Sequence, residues 1–171
     1  MRRAIAVVSN RSWPEAETVG TVILVYHDRH RRRVRMTDDG GADFLLALPQ
    51  AAVLKDGDGL VLEGGGVIQV RAASEAVADI TAGSPEHLAR LAWHIGNRHV
   101  PVQVLPNGVL RILDDHVLVD MVRGLGAEVA RHRAPFAPEA GAYAVGHTHE
   151  HAHDHNHAHD HDRPHETAHG P

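Results

Sequence analysis

Histidine alternates with small, polar or acidic residues through the last part of this chain. Ten of the 17 histidines lie in residues 147–171, here called the tail, and the regular alternation comprises His147, His149, His151, His153, His155, His157, His159 and His161. Neutral imidazole is a common ligand of divalent transition metals, and every second side chain of an extended segment points the same way. The spacing therefore predicts that two or three neighbouring rings bind one metal ion. The interspersed Asp, Ala and Asn residues distinguish the tail from a purification tag, which would be a pure histidine run.

The ligands available to this chain are imidazole and oxygen, because the sequence contains no cysteine. Such ligands exchange a metal more readily than a closed thiolate site does. Histidine side chains have an ordinary pKa near 6.5 and coordinate as the neutral ring. We therefore expect bound metal to dissociate as the pH falls through about 6.5.

Two histidines before the tail lie close together in the sequence and are candidates for a receiving site. His99 follows Gly96-Asn97-Arg98 at the start of a predicted strand, and His94 lies one turn before the end of a predicted helix. Taken singly, each is more often structural than metal-binding, and the tail is what favours a metal role. Two copies of the chain around a two-fold axis would bring two His99 rings together, and tail histidines would complete the shell.

His116 is a third candidate, in the first turn of a second predicted helix beside Asp114 and Asp115. The positive end of a helix dipole disfavours a protonated ring, so this position suits coordination. The neighbouring carboxylates are able to orient the ring or to supply an oxygen ligand. His87 and His132 have no such neighbours, and we predict that they are surface residues.

The bulk composition limits the function classes that fit this chain. Its 171 residues are 43% hydrophobic but only 4% aromatic, and the net charge of −5 arises mostly in the tail. A nearly neutral remainder argues against a dedicated nucleic-acid-binding protein. The sequence has no stretch of about 20 apolar residues that would span a membrane, and the apolar run at residues 4–8 is too short for a signal peptide. The expected location is the cytoplasm, with no membrane partner.

The first half of the sequence predicts a small β domain. Six short apolar stretches alternate with glycine-rich turns such as Asp38-Asp39-Gly40-Gly41 and Glu63-Gly64-Gly65-Gly66. Regular short strands with such turns favour a small antiparallel barrel or sandwich. We assign residues 1–74 to this domain. We expect it to bind or dock other molecules, because it shows no nucleophile, acid pair or metal-spaced cluster.

A basic run at residues 29–35 contains five arginines in seven positions. Guanidinium groups at this density suit phosphates or an acidic partner. The same residues also fit an ordinary solvated strand, with Arg33 and Arg35 outward and Val34 and Met36 inward. Protein docking and a plain solvated strand are about equally supported, and nucleic acid is well behind both.

The second half has a different pattern. Ser84-Pro85 predicts the start of a helix, with its apolar face formed by Leu88, Leu91, Ala92 and Ile95. A second helix is predicted after Asp114 or Asp115, with a buried stripe of Val117, Leu118, Met121, Val122 and Leu125. Strands around these helices give the order β-α-β-β-α-β of the ferredoxin-like fold, which we assign to residues 75–146. The tail is too polar to pack and is expected to be disordered without metal.

Several stretches carry a family likeness: residues 94–103 with Gly96-Asn97-Arg98-His99, residues 115–118, 121–126 and 135–143, and, in the first half, residues 44–49 and 56–58. Over essentially the whole chain they resemble the UreE family of urease accessory proteins. The resemblance implies a homodimeric nickel metallochaperone, not an enzyme, that passes Ni²⁺ toward urease together with an accessory GTPase. It also implies a peptide-binding N-terminal domain and a metal-binding C-terminal domain.

The resemblance also implies particular ligands. His99 matches the family's nickel ligand at the subunit interface, and His147 or His149 matches the C-terminal histidine that completes that site. His116 matches a peripheral ligand of some members, although Asp114 stands where those members have another histidine. A long tail suggests additional capture of metal rather than the core activity.

Two other functions fit the same residues. A storage or buffering protein would hold metal through the tail alone, and imidazole chemistry allows Zn²⁺ or Cu²⁺ as well as Ni²⁺. A metallohydrolase is disfavoured, because the sequence has no His-Glu-x-x-His and no three-ligand set beside a general base.

Overall fold

A computed structural model describes residues 1–10 and 12–140 of the chain. Residues Met1–Glu139 form one compact unit that contains two β-sheets. The sheets meet at Ala73, since one ends with Ala72 and the other begins with Ser74. No helix in the part of the chain so described has the length and apolar content needed to cross a membrane.

The first sheet has six strands, in the spatial order β2-β6-β5-β1-β4-β3. They are β1 (Arg2–Val8), β2 (Thr18–Leu24), β3 (His30–Thr37), β4 (Asp43–Val53), β5 (Gly59–Leu62) and β6 (Val67–Ala72). The β1–β4 and β2–β6 pairs are parallel, so the sheet is mixed and not antiparallel throughout. The predicted all-β domain is confirmed, and its core consists of aliphatic side chains around the fully buried Phe44.

The sheet curls so that β2 approaches the turn between β3 and β4. The backbone N–H of Asp39 donates to the carbonyl of Thr21 at 2.7 Å, and the N–H of Thr21 donates to Asp39 Oδ1 at 2.9 Å. The adjacent Asp38 carboxylate accepts from Arg2 at 2.6 Å and from the backbone N–H of Ala42 at 2.8 Å. A Cβ atom at Gly20 would lie 2.9 Å from this carboxylate, so a larger residue there would displace the Asp38 side chain.

The second sheet has four strands, in the order β10-β7-β9-β8. They are β7 (Ser74–Thr81), β8 (Gln103–Leu105), β9 (Val109–Leu113) and β10 (Glu128–Pro135). Helix α1 (Pro85–Gly96) connects β7 to β8, and α2 (His116–Gly124) connects β9 to β10. Every strand pair in this sheet is antiparallel. The predicted ferredoxin-like order is therefore confirmed.

Both helices begin where capping chemistry predicts. The side chain of Ser84 accepts from the backbone N–H of His87, and the side chain of Asp115 accepts from the N–H of Leu118. Each helix buries one stripe against the second sheet, with Leu91, Ile95, Val119 and Val122 in its core. Short 3-10 turns occur at Glu15–Glu17, Tyr26–Asp28 and Pro106–Gly108.

Details of the burial pattern differ from the prediction. Ala92 and Val117 are exposed, and Val119 takes the buried place that was expected for Val117. The reason is that α2 starts only at His116, so Val117 lies in the first turn on the outer side. The strand that was predicted to begin at His99 is reduced to β8, while Val100 and Val102 still pack against the core from the preceding loop.

The fully buried Phe136 lies between the two sheets. Its ring packs edge-on to Tyr26 at a centroid distance of 5.3 Å, and its carbonyl accepts a hydrogen bond from Arg29. The Glu75 carboxylate accepts from the backbone N–H of Tyr26 at 2.8 Å. These contacts join the β2–β3 connection to the segment that follows β10.

Candidate metal site

His99 lies in the tight turn that ends α1. Successive backbone N–H groups of Asn97, Arg98 and His99 donate to carbonyls of the last helical turn, the last of them to Gly96 at 2.9 Å. This turn forces His99 into the left-handed region at φ 54°. For a residue with a Cβ that conformation costs about 1 kcal/mol. The exposed side chain of His99 thus extends from a backbone in a strained conformation.

Two exposed apolar side chains lie close to His99 in the sequence. Trp93, in the last turn of α1, is 63% exposed, and Val104 in the edge strand β8 is 55% exposed. The ring of His94 packs edge-on against the Trp93 indole at 4.9 Å and is half-buried. Exposed tryptophan is unusual on a monomeric surface and favours an interface.

The segment after β10 runs toward the residues that follow His99. Arg111 donates to the carbonyl of Pro135 at 3.2 Å, and the backbone N–H of Ala137 donates to Gln103 Oε1 at 3.0 Å. The N–H of Glu139 then donates to the carbonyl of Val102 at 2.8 Å. The origin of the C-terminal segment is therefore fixed beside the loop that carries His99.

Only a short stretch of chain joins Glu139 to the first tail histidine. His147 follows Glu139 by 8 residues in the sequence. A chain of that length spans at most about 29 Å. His147 itself, His149 and the six further alternating tail histidines lie outside the residues that the structure describes.

His116 is the first residue of α2, as predicted, and its side chain is exposed. The Asp114 carboxylate beside it is already engaged, since Arg131 Nε lies 2.9 Å from both of its oxygens and Arg131 Nη2 lies 2.8 Å from Oδ1. The hydrogen bond to Asp114 raises the pKa of the Arg131 guanidinium. Asp115 caps the helix. A metal at Asp114 and His116 would have to compete with Arg131.

The predicted ligands that lie in the described part of the chain do not form a complete site there. Among residues 1–10 and 12–140, no three His, Cys, Asp or Glu side chains lie close enough together to hold an ion. His99 and His116 therefore each offer a single imidazole, and any site at either position needs ligands from another source.

The prediction that His87 is a surface residue is wrong. Its half-buried ring accepts a hydrogen bond at Nδ1 from the N–H of Gly83 at 3.2 Å, and its Nε2 lies 2.9 Å from the carbonyl of Leu125. This pattern requires the neutral ring with its proton on Nε2. His87 therefore joins the start of α1 to the end of α2, and both of its nitrogens are unavailable to metal.

His132 is exposed, as predicted, but it neighbours an ion pair that the sequence did not reveal. Asp79 and Arg111 form two hydrogen bonds, at 2.6 and 2.9 Å, and His132 Nε2 lies 3.6 Å from Asp79 Oδ2. The hydrogen bonds from Arg111 hold the pKa of Asp79 below its usual value. Because Arg111 also contacts Pro135, the pair supports the origin of the C-terminal segment.

Comparison with known families gives two matches that together cover most of the chain. Residues 2–73 match the family described as "UreE urease accessory protein, N-terminal domain", and residues 75–162 match its C-terminal domain. A urease accessory protein UreE from Bradyrhizobium sp. (strain ORS 278) is 52% identical over 144 residues, which are 84% of this chain and 68% of the relative.

Two further relatives extend the similarity. UreE from Rhodopseudomonas palustris (strain HaA2) is 50% identical over 147 residues, which are 86% of this chain and 67% of the relative. UreE from Rhodobacter capsulatus is 44% identical over 153 residues, which are 88% of this chain and 94% of the relative. The similarity thus includes both sheets and the turn that carries His99.

Proposed function

The chain belongs to the UreE family of urease accessory proteins, and within urease maturation we propose that it binds Ni²⁺ and delivers it to the urease apoprotein. In this proposal the protein is a chaperone and not an enzyme, and the metal is its cargo. The recipient is a complex of the apoprotein with the accessory GTPase, in the cytoplasm. No nucleic acid or membrane is involved.

The proposed nickel site contains His99 from each of two copies of the chain, completed by His147 or His149. The observation that carries this proposal is the hydrogen bond from Glu139 to Val102, since it fixes the origin of the C-terminal segment beside the His99 loop. Two imidazoles from a dimer and one or two from C-terminal segments give the three or four nitrogen ligands that suit a divalent transition metal.

The proposed dimer forms through the exposed apolar side chains of Trp93 and Val104. Burial of the Trp93 indole against a second copy would remove a large apolar side chain from water, which is worth roughly 2 kcal/mol. A two-fold contact at this surface would also place the two His99 residues near the symmetry axis, as a shared site requires.

The tail histidines from His151 to His161 serve in this proposal to capture metal and raise its local concentration. They would hold Zn²⁺ or Cu²⁺ as well as Ni²⁺, because imidazole binds all three. The domain division proposed from the sequence also assigns residues 1–74 to peptide binding and residues 75–146 to the metal site.

Nickel titration of three proteins tests the carrier function. They are the full chain, the full chain with His99→Ala, and a chain that ends at Val145, which retains the compact unit of residues 1–139. We expect His99→Ala to abolish the tightest site and urease activation while most of the tail capacity remains. His94→Ala is the matched control, since it removes a nearby imidazole. The proposal fails if His99→Ala leaves both tight binding and urease activation intact.

A metal store or buffer that works through the tail alone is the second candidate. It is supported by the absence of a complete ligand set among residues 1–10 and 12–140. The two functions differ in the response to His99→Ala, because a tail-only buffer would keep all its affinity. They differ also in the behaviour of the chain that ends at Val145. If the protein is a tail-only buffer, a dimer of this shortened chain would bind no nickel, whereas the carrier would keep the two His99 ligands.

A further inference from the structure

Strand β3 lies at an open edge of the first sheet and carries most of the basic run. It pairs with β4 on one side and is the last strand in the sheet order. Along its other side, alternate backbone N–H and C=O groups therefore have no strand partner among the residues described by the structure. We propose that this edge, with Arg32 and Arg33, docks an extended acidic segment of a partner protein as an added strand.

The arginines of the run differ in what they contact. Arg29 is buried and donates to the carbonyl of Phe136. Arg31 pairs with Asp28, and Arg35 pairs with Asp43. Arg32 and Arg33 are exposed, and neither forms an ion pair with any residue in the ranges 1–10 and 12–140. Two adjacent cations on an open edge are thus available to carboxylates from outside the chain.

The outer face of the sheet beside β3 has an apolar centre. The register places Arg33 opposite Ala47 and Arg35 opposite Leu45, and both β4 residues are half-buried. On its other side, β4 pairs with β1, where Arg3 lies opposite Leu45. Ile5 of β1 is 37% exposed. An incoming strand would therefore meet cations at its edge and a small aliphatic surface beyond them.

This arrangement fits a peptide better than a nucleic acid. The open edge offers hydrogen-bonding groups at the two-residue repeat of a β-strand, about 6.8 Å. A nucleic acid has no backbone N–H and C=O groups at that repeat and would use only the two cations. In an acidic peptide, carboxylates opposite Arg32 and Arg33 would pair with these cations while the peptide backbone completes the edge.

The inference rests on the proposed function, because it identifies where the peptide-binding domain of the nickel carrier meets its partner. The test uses the full chain and a fluorescent eight-residue peptide in which pairs of glutamates alternate with pairs of valines, because the consecutive Arg32 and Arg33 side chains point to opposite faces of β3. Binding is measured by fluorescence anisotropy at two salt concentrations. Hydrogen exchange of the β3 amides is measured with and without the same peptide. Arg71→Glu is the control variant, because Arg71 is an exposed arginine on β6, away from this edge.

We expect Arg32→Glu/Arg33→Glu to weaken peptide binding at least tenfold and Arg71→Glu to change it less than twofold. Peptide should slow exchange at β3, and a lysine–valine peptide should not bind. Docking of the urease apoprotein–GTPase complex should weaken in the same double variant. Equal losses in both variants, or unchanged exchange at β3, would overturn the proposal. Tighter binding of an oligothymidylate than of the peptide would assign the edge to nucleic acid instead.

Two measurements separate this proposal from the others. The nickel stoichiometry of Arg32→Glu/Arg33→Glu should equal that of the unaltered chain, so a failed carrier function would appear only in the His99→Ala experiment. Replacing the five tail acids by their amides should leave peptide affinity unchanged; they are Glu150, Asp154, Asp160, Asp162 and Glu166. Stronger peptide binding after that change would identify the chain's own tail as the occupant and would overturn the assignment to a partner.

Discussion

The guanidinium of Arg29 donates a hydrogen bond to the carbonyl oxygen of Phe136, which joins the connection between β2 and β3 to the segment after β10. Arg29 also lies over the ring of Tyr26, 5.7 Å from its centroid. Burial lowers the pKa of Arg29, and the nearby Glu75 and Asp56 oppose that shift. A buried cation directed at one carbonyl fixes that carbonyl in place. The basic run is thereby connected to the origin of the C-terminal segment.

Phe136→Ala should destabilise the compact unit and release this segment. The Phe136 side chain is fully buried between the sheets, and removal of such a ring costs about 3–4 kcal/mol. Urea unfolding followed by circular dichroism measures the loss. Val104→Ala is the control, because Val104 is mostly exposed and its truncation should cost less than about 0.5 kcal/mol. A loss at Phe136 no larger than at Val104 would contradict the packing described here.

Asp79→Asn should destabilise the protein in a pH-dependent way. The pair with Arg111 is mostly buried, with 13% and 18% of the two side chains exposed, and its loss should cost about 2 kcal/mol near neutral pH. Folding lowers the pKa of Asp79. The stabilisation by this pair is therefore complete when the pH is above the pKa of Asp79 in the unfolded chain, near 3.9. It is lost as the pH falls through the lower pKa of Asp79 in the folded protein.

Urea unfolding of the unaltered chain and of Asp79→Asn between pH 2 and pH 7 tests this pH dependence. The difference in unfolding free energy should be constant above about pH 5 and should shrink in acid. Glu63→Gln removes the exposed pair with Arg3 and should have little effect at any pH. A difference between Asp79→Asn and the unaltered chain that grows on acidification would contradict the prediction.

His99→Gly should be more stable than His99→Ala, although both lack the imidazole. The position has φ 54°, which glycine adopts freely and alanine adopts at a cost of about 1 kcal/mol. Urea unfolding compares the two variants directly, and nickel binding should be equally impaired in both. Asn107, at φ 63°, offers a parallel pair of glycine and alanine variants. Equal stability of the two His99 variants would show that the turn relaxes.

The second domain was predictable because its signals are local. Ser84-Pro85 and Asp115 mark helix starts through their own backbone geometry, and Pro106-Asn107-Gly108 marks a turn, so the ferredoxin-like order followed from short stretches of sequence. The places of Arg29 and Phe136 were not predictable, since a buried arginine within a basic run depends on a partner 107 residues away.

The proposed metal site was predictable only in part for a similar reason. His99 was proposed as a ligand from its neighbours in the sequence, but no complete ligand set lies among residues 1–10 and 12–140. The role of His87 was obscured, because its partners Gly83 and Leu125 contribute backbone groups. Asp114 was expected to be available to metal. It is instead paired with Arg131, which lies on β10, after Asp114 in the sequence.

The pair of Asp114 with Arg131 predicts that nickel bound by Asp114 and His116 is weak. The carboxylate must leave Arg131 before it coordinates, so removal of that arginine should strengthen such a site. In the chain that ends at Val145, Arg131→Ala should raise the affinity of the weaker nickel site roughly two- to fivefold. His116→Ala should remove that site and leave the tighter one unchanged, which isothermal titration calorimetry resolves. Arg90→Ala is the control for lost positive charge. A weaker site that is insensitive to Arg131→Ala would show that Asp114 is not among its ligands.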